Sequence, residues 1–115
     1  MTPVSNVTTD PAGELALGPC YSTLTGEPDM AELLALFVSE LPQRLVDIRQ
    51  AAQGHNWQEV RRLAHQLRGA GGSYGFPLLT IAAGKVETIA QEQASIKELR
   101  TALDQLTAVS QRLRA

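Results

Sequence analysis

The sequence predicts an all-α fold, an antiparallel up-down four-helix bundle, and three observations carry that expectation. Apolar residues recur at helical rather than alternating spacing from Asp29 to the end of the chain. The breaks between periodic stretches are short and rich in Gly, Pro, Asn and Ser, so consecutive helices must pack beside one another in opposite directions. Hydrophobic residues make up 43% of the 115 but aromatic ones only 4%, which suits a core of Leu, Ala and Val. That length fits one domain with a modest core. No strand and no internal repeat is expected.

Residues 1–19 are rich in Thr, Ser, Pro and Gly without a sustained period and read as a flexible arm; residues 20–115 read as the bundle domain. Tyr21 and Leu24 are apolar enough to dock the leading segment. Thr25-Gly26-Glu27-Pro28-Asp29 is turn chemistry, with Asp29 expected to cap the first helix and Glu32 at its N3 position. Met30, Leu33, Leu34, Phe37, Leu41, Leu45, Ile48 and Ala52 then form one apolar stripe to about Gln53. Pro42 lies inside that stripe and removes a backbone hydrogen bond. Either one helix kinks near Glu40–Pro42, or a second helix starts with Pro42 in its first turn.

Gly54-His55-Asn56 ends the run, with Asn56 the expected N-cap of the next helix. After Ser73–Pro77, a helix from about Phe76 to Gln91 carries Leu78, Leu79, Ala82, Val86 and Ile89 on its apolar side. Gly75 supplies a position free to take positive φ, and Pro77 suits a first turn. Ala83 and Gly84 would let this helix approach its neighbour closely. A last helix from about Ser95 to Leu113 buries Ile96, Leu99, Leu103, Leu106, Val109 and Leu113. Ser95 with Glu98 forms its capping box, and Arg112 and Arg114 complement its C-terminal dipole.

The chemistry concentrates in Trp57–Phe76, WQEVRRLAHQLRGAGGSYGF. At 100° per residue Trp57, Val60, Leu63, Ala64, Leu67, Ala70, Gly71 and Tyr74 share one face. Arg61, Arg62, His65, Arg68, Gly69 and Gly72 fall on the other. A glycine inside a helix costs about 1 kcal/mol relative to alanine, so three of them need a compensating reason. The reason expected here is that a partner must approach the His65 imidazole. Three arginines around it suit phosphate, because the guanidinium fork matches phosphate oxygens.

His65-Gln66-Leu67-Arg68-Gly69-Ala70, followed by Gly75 and Glu87, resembles the histidine-containing phosphotransfer (HPt) domain family. That family's pattern is a His, a basic residue at +3, a Gly at +4, small residues and a Gly near +10. The resemblance covers roughly residues 20 to 112, including Met30–Phe37 and Leu41–Ile48. It implies a four-helix bundle whose solvent-facing histidine relays a phosphoryl group between aspartates of receiver domains. His65 would be the phospho-acceptor, through Nε2. Arg68, where the family more often has Lys, would contact the phosphoryl oxygens. Glu87 would orient the ring by holding Nδ1–H, and Arg61, Arg62, Gly69 and Gly72 would meet the partner. The implied partners are receiver domains of response regulators or hybrid histidine kinases. They would supply the magnesium, leaving this chain with no cofactor, no ATP site and no turnover of its own.

Other readings weaken residue by residue. A dinucleotide fingerprint would need glycine at Tyr74 and a preceding strand, and a P-loop would need Gly-Lys-Ser/Thr. A glycine-rich loop starting at a Gly69 C-cap remains a rival for Gly69–Ser73. The phosphoacceptor hairpin of a histidine kinase fits poorly with Gln66 and with Gly69-Ala70. A helical interaction bundle without phosphoryl chemistry keeps every core argument and loses only the site. His55, ten residues from His65, reads as a cap-region residue, and no ligand set for a metal is apparent. Net charge of −2 gives no general case for nucleic acid or membrane. The single Cys20, the lack of a leader pattern and the lack of a long apolar run predict a cytoplasmic protein, and the bundle is expected to be a monomer.

Overall fold

The computed structural model describes residues 18–115, so the arm expected over 1–19 lies, up to residue 17, outside the described residues. Four helices follow in order: α1 Ala31–Gln53, α2 Trp57–Ser73, α3 Pro77–Glu92 and α4 Ile96–Arg112. Consecutive helices pack against each other and α1 closes the bundle on α4. Leu34, Phe37, Leu41 and Ile48 of α1 meet Val60, Ala64 and Leu67 of α2 in the core. Leu79, Ala83 and Val86 of α3, and Leu99, Leu103 and Leu106 of α4, complete it. The all-α bundle is therefore the observed fold. Among the described residues no helix is long and apolar enough to cross a membrane.

Pro42 neither ends nor splits the first helix, which runs unbroken through it. A mid-helix proline costs about 3 kcal/mol. Phe37 and Leu41 before it and Ile48 after it are nevertheless buried on one stripe. Burying each such side chain contributes about 1.5–3 kcal/mol, which outweighs the proline.

The start of α1 differs from the expected Asp29 cap. Met30 occupies the N-cap with φ −101° and ψ −14° and makes no side-chain cap bond. Residues 22–30 already curl through successive turns, from Thr25 N–H to Ser22 O, Glu27 N–H to Leu24 O and Met30 N–H to Glu27 O. A capping side chain needs extended backbone at its own residue, and this chain arrives already coiled.

The other caps follow the sequence. Asn56 Oδ1 accepts from Glu59 N–H at 3.2 Å, and Ser95 Oγ accepts from Glu98 N–H at 3.0 Å. Pro77 opens α3 as its first residue. At the α1–α2 turn the left-handed residue is His55, at φ 56°, while Gly54 stays at φ −83°.

The expected absence of strands is corrected by one short pairing. β1 (Cys20–Tyr21) and β2 (Leu113–Arg114) lie parallel, with Cys20 opposite Leu113 and Tyr21 opposite Arg114. Two residues are too few to display an alternating pattern. Leu113 is extended and buried, so α4 stops one residue before the expected end. Leu33 and Leu78 also depart from the expected stripes, at 47% and 41% exposed. Each stands beside a leucine that points inward, Leu34 or Leu79, and two adjacent helical residues cannot share the core face.

The segment before α1 straps the end of the bundle. Thr23 N–H donates to Gly75 O at 2.8 Å, and Ser22 Oγ donates to Tyr74 O at 2.5 Å. Arg112 Nε donates to Gly18 O at 2.8 Å. Gly75 sits under this strap at φ 77°, where a Cβ would lie 2.6 Å from Ser22 Oγ. Both conformation and space require glycine there.

Candidate functional site

The Asn56 cap starts α2 and the buried Val60, Ala64, Leu67 and Gly71 fix its rotation. That phase turns residue 65 outward. The His65 side chain is 60% exposed. Glu87 reaches it from α3 with only 11% of its own side chain exposed. His65 Nδ1 lies 2.8 Å from Glu87 Oε2. An ionised carboxylate only accepts, so Nδ1 carries the proton and donates it. The lone pair is then on Nε2, the other ring nitrogen.

Arg68 joins the same cluster, one turn after His65. Its Nε is 3.2 Å from Glu87 Oε1, an ion-pair contact without the alignment of a hydrogen bond. Its Nη2 is 3.4 Å from His65 Nδ1. With Nδ1–H already donated to Glu87, two donors face each other there, so this approach places charge beside the ring rather than forming a bond. Glu87 is thus held between an imidazole and a guanidinium, and the cation offsets the cost of keeping a carboxylate nearly buried.

Two residues of α3 support Arg68. Thr80 Oγ1 donates to the Arg68 carbonyl at 3.1 Å. Gly84 leaves room for the arginine stem, since a Cβ there would meet Arg68 Cδ at 3.4 Å. The close backbone approach expected from Gly84 belongs instead to Gly71, whose added Cβ would lie 3.0 Å from Thr80 N and 2.7 Å from Thr80 Oγ1. Sequence reasoning missed the Thr80 contact, for which no motif gave a signal.

The glycines near His65 are helical. α2 continues through Ser73, so Gly69 is not a C-cap and the glycine-rich loop reading is set aside. A Cβ at Gly69 would meet nothing within 4 Å, and one at Gly72 only Thr80 Oγ1 at 3.9 Å. Space for side chains is open at Gly69 and nearly so at Gly72.

The two remaining arginines differ. Arg61 is exposed and free of ion pairs among the described residues. Arg62 is occupied, its Nε and Nη2 donating to the two Glu59 oxygens at 2.8 and 2.6 Å. Hydrogen bonding by Arg62 holds the Glu59 carboxyl below the usual range, and the same bond raises Arg62. Arg62 is therefore turned along its own helix rather than to the His65 ring. Among the described residues no three His, Cys, Asp or Glu side chains converge as metal ligands would.

The molecule is thus a bundle of four helices carrying an outward histidine backed by a carboxylate. The family model described as Hpt domain matches residues 32–115, and the chain belongs to that family. Hpt domains are phosphocarrier modules of two-component systems, which interact with receiver domains and carry no ATP site of their own. The match spans all four helices but begins after the strap. No match was found among curated proteins or among solved structures.

Proposed function

We propose that this chain is a phosphorelay intermediate, accepting a phosphoryl group on His65 from a receiver aspartate and passing it to a second receiver aspartate. The observation that carries this reading is the 2.8 Å contact between His65 Nδ1 and Glu87 on an otherwise exposed ring. It supports an Nε2 lone pair aimed at solvent, where a partner can present phosphorus. Nε2 attacks the aspartyl phosphate, the N–P bond forms, and the P–O bond to the aspartate breaks with the carboxylate leaving. The ring keeps its Nδ1 proton and becomes positive, and Glu87 stabilises that charge. The return step reverses the bonds on the second aspartate.

Arg68 is the phosphoryl-oxygen contact in this reading. Its side chain is about half exposed, so it can turn from Glu87 to the incoming group. Gly69 and Gly72 leave the docking surface flat, and Arg61 supplies positive charge that steers an acidic receiver pocket. The receiver, of a response regulator or a hybrid kinase, brings the magnesium, and this chain acts as a cytoplasmic monomer without a cofactor or nucleic-acid partner.

The test is intact mass and site mapping after incubation with phosphorylated receivers. One phosphoryl group is expected, on His65, lost in mild acid and kept in alkali as a phosphoramidate should be. His65→Gln abolishes it while circular dichroism stays helical, because the side chain is largely outside the core. Label that survives acid, or persists in His65→Gln, leaves the chain as an interaction bundle.

A further inference from the structure

On the α3–α4 side of the bundle runs an open groove of about 850 Å³ that shares only Arg68 with the proposed phosphoryl chemistry. The only two lysines of the chain both line it, Lys85 from α3 and Lys97 from α4. Each is exposed and has no ion-pair partner among the described residues. Arg68 adds a third cation at the groove's edge beside Gly84. The one acid in the lining, Glu98, accepts from Ser95 Oγ at 3.2 Å in the α4 cap. A chain of net charge −2 thus gathers three cations against one acid along a single groove. Apolar surface accompanies them, since Ile81 is 56% exposed and Ile89 is only partly covered.

We propose that this groove docks an acidic amphipathic helix of a protein partner, separately from the surface around Gly69. A channel between two antiparallel helices has the shape to take a third, whose apolar stripe would cover Ile81 and Ile89. Carboxylates flanking that stripe would meet Lys85 on one wall and Lys97 on the other. Neither lysine must first break an internal ion pair, and charge complementarity selects an acidic helix over a basic one. Arg68 stands at the junction of the two regions. A carboxylate seated by Gly84 would draw its guanidinium from Glu87, so occupancy of the groove reaches the histidine cluster through one side chain.

The probe is a synthetic helical peptide with leucine at i, i+3, i+4 and i+7 and glutamate elsewhere, titrated into the full ¹⁵N-labelled chain. Saturable amide shifts are expected at Lys85, Thr88, Lys97 and Thr101. They should weaken strongly at about 1 M salt, where the screening length is about 3 Å. The counterpart peptide with lysine for glutamate should not bind. Lys85→Glu with Lys97→Glu should weaken binding about tenfold or more, since like charge then faces the peptide. His65→Gln removes the phospho-acceptor but leaves Lys85 and Lys97, so it should still bind the peptide, and the groove and the phosphoryl chemistry fail separately. Absence of shifts, equal binding of both peptides, or binding that survives the double charge reversal overturns the proposal. Groove signals that respond to salt together with those of residues 1–17, without peptide, would make the chain's own N-terminal segment the occupant and overturn it too.

Discussion

Glu87 is 22 residues from His65 in sequence and 2.8 Å from it in space, and removing its side chain tests what the contact does. In Glu87→Ala the Nδ1–H tautomer loses its acceptor. Ring ¹⁵N shifts should then move from a single tautomer toward a mixture, and transfer should slow while the bundle stays folded. A ring that keeps one tautomer in the variant would show that packing, not the carboxylate, orients it. Glu59 offers a second residue-scale test. Its folded value is lowered by Arg62, so the unfolded state binds more protons as acid is added. The pair's contribution is present above the usual carboxyl value of 4.5 and is lost as pH falls through the lowered folded one. Melts of the wild type and Glu59→Gln should therefore differ at neutral pH and converge in acid; a gap that widened in acid would contradict the assignment. The exposed position keeps this contribution small.

At the scale of elements, Gly69 and Gly71 separate the two uses of small residues on α2. Gly69→Ala fills open space and should stabilise the helix by about 0.4–1 kcal/mol. Gly71→Ala drives a Cβ against the Thr80 backbone and should cost about 1–3 kcal/mol by pushing α3 away. Thermal melts of the two variants check both signs. Periodicity alone assigned these glycines to opposite faces, because the apolar residues around them fix the phase of α2. It did not identify Thr80 as the residue opposite Gly71, which depends on how far two helices slide along each other. A regularity in the α2–α3 hairpin makes two other contacts readable. His65 and Glu87 each stand eleven residues from Phe76, and Arg68 and Gly84 each stand eight from it. Residues equidistant from a tight turn face each other across antiparallel helices. The Met30 cap and the β1–β2 pair escaped for another reason: both lie in segments too short for a period to emerge.

For the molecule as a whole, the four helices were legible because each buries a repeated stripe, whereas the strap was not, because its bonds are mostly backbone to backbone or backbone to serine. Those bonds bring two distant parts of the chain together. Cys20 and Leu113 lie opposite one another in a parallel pair, where strands stand about 4.8 Å apart. The path through the bundle is therefore nearly a ring. Joining Ala115 to Gly18 through a short flexible linker would close it, because the Cys20–Leu113 pairing leaves only a short gap to cross. New ends opened between Gly54 and His55 would fall in an exposed turn and cut neither a helix nor the His65 cluster. The circular permutant beginning at His55 should fold into the same bundle by circular dichroism and still take one acid-labile phosphoryl group on His65. If it folds but no longer labels, continuity from α1 into α2 does more than close a turn: it sets the orientation in which α2 presents its histidine.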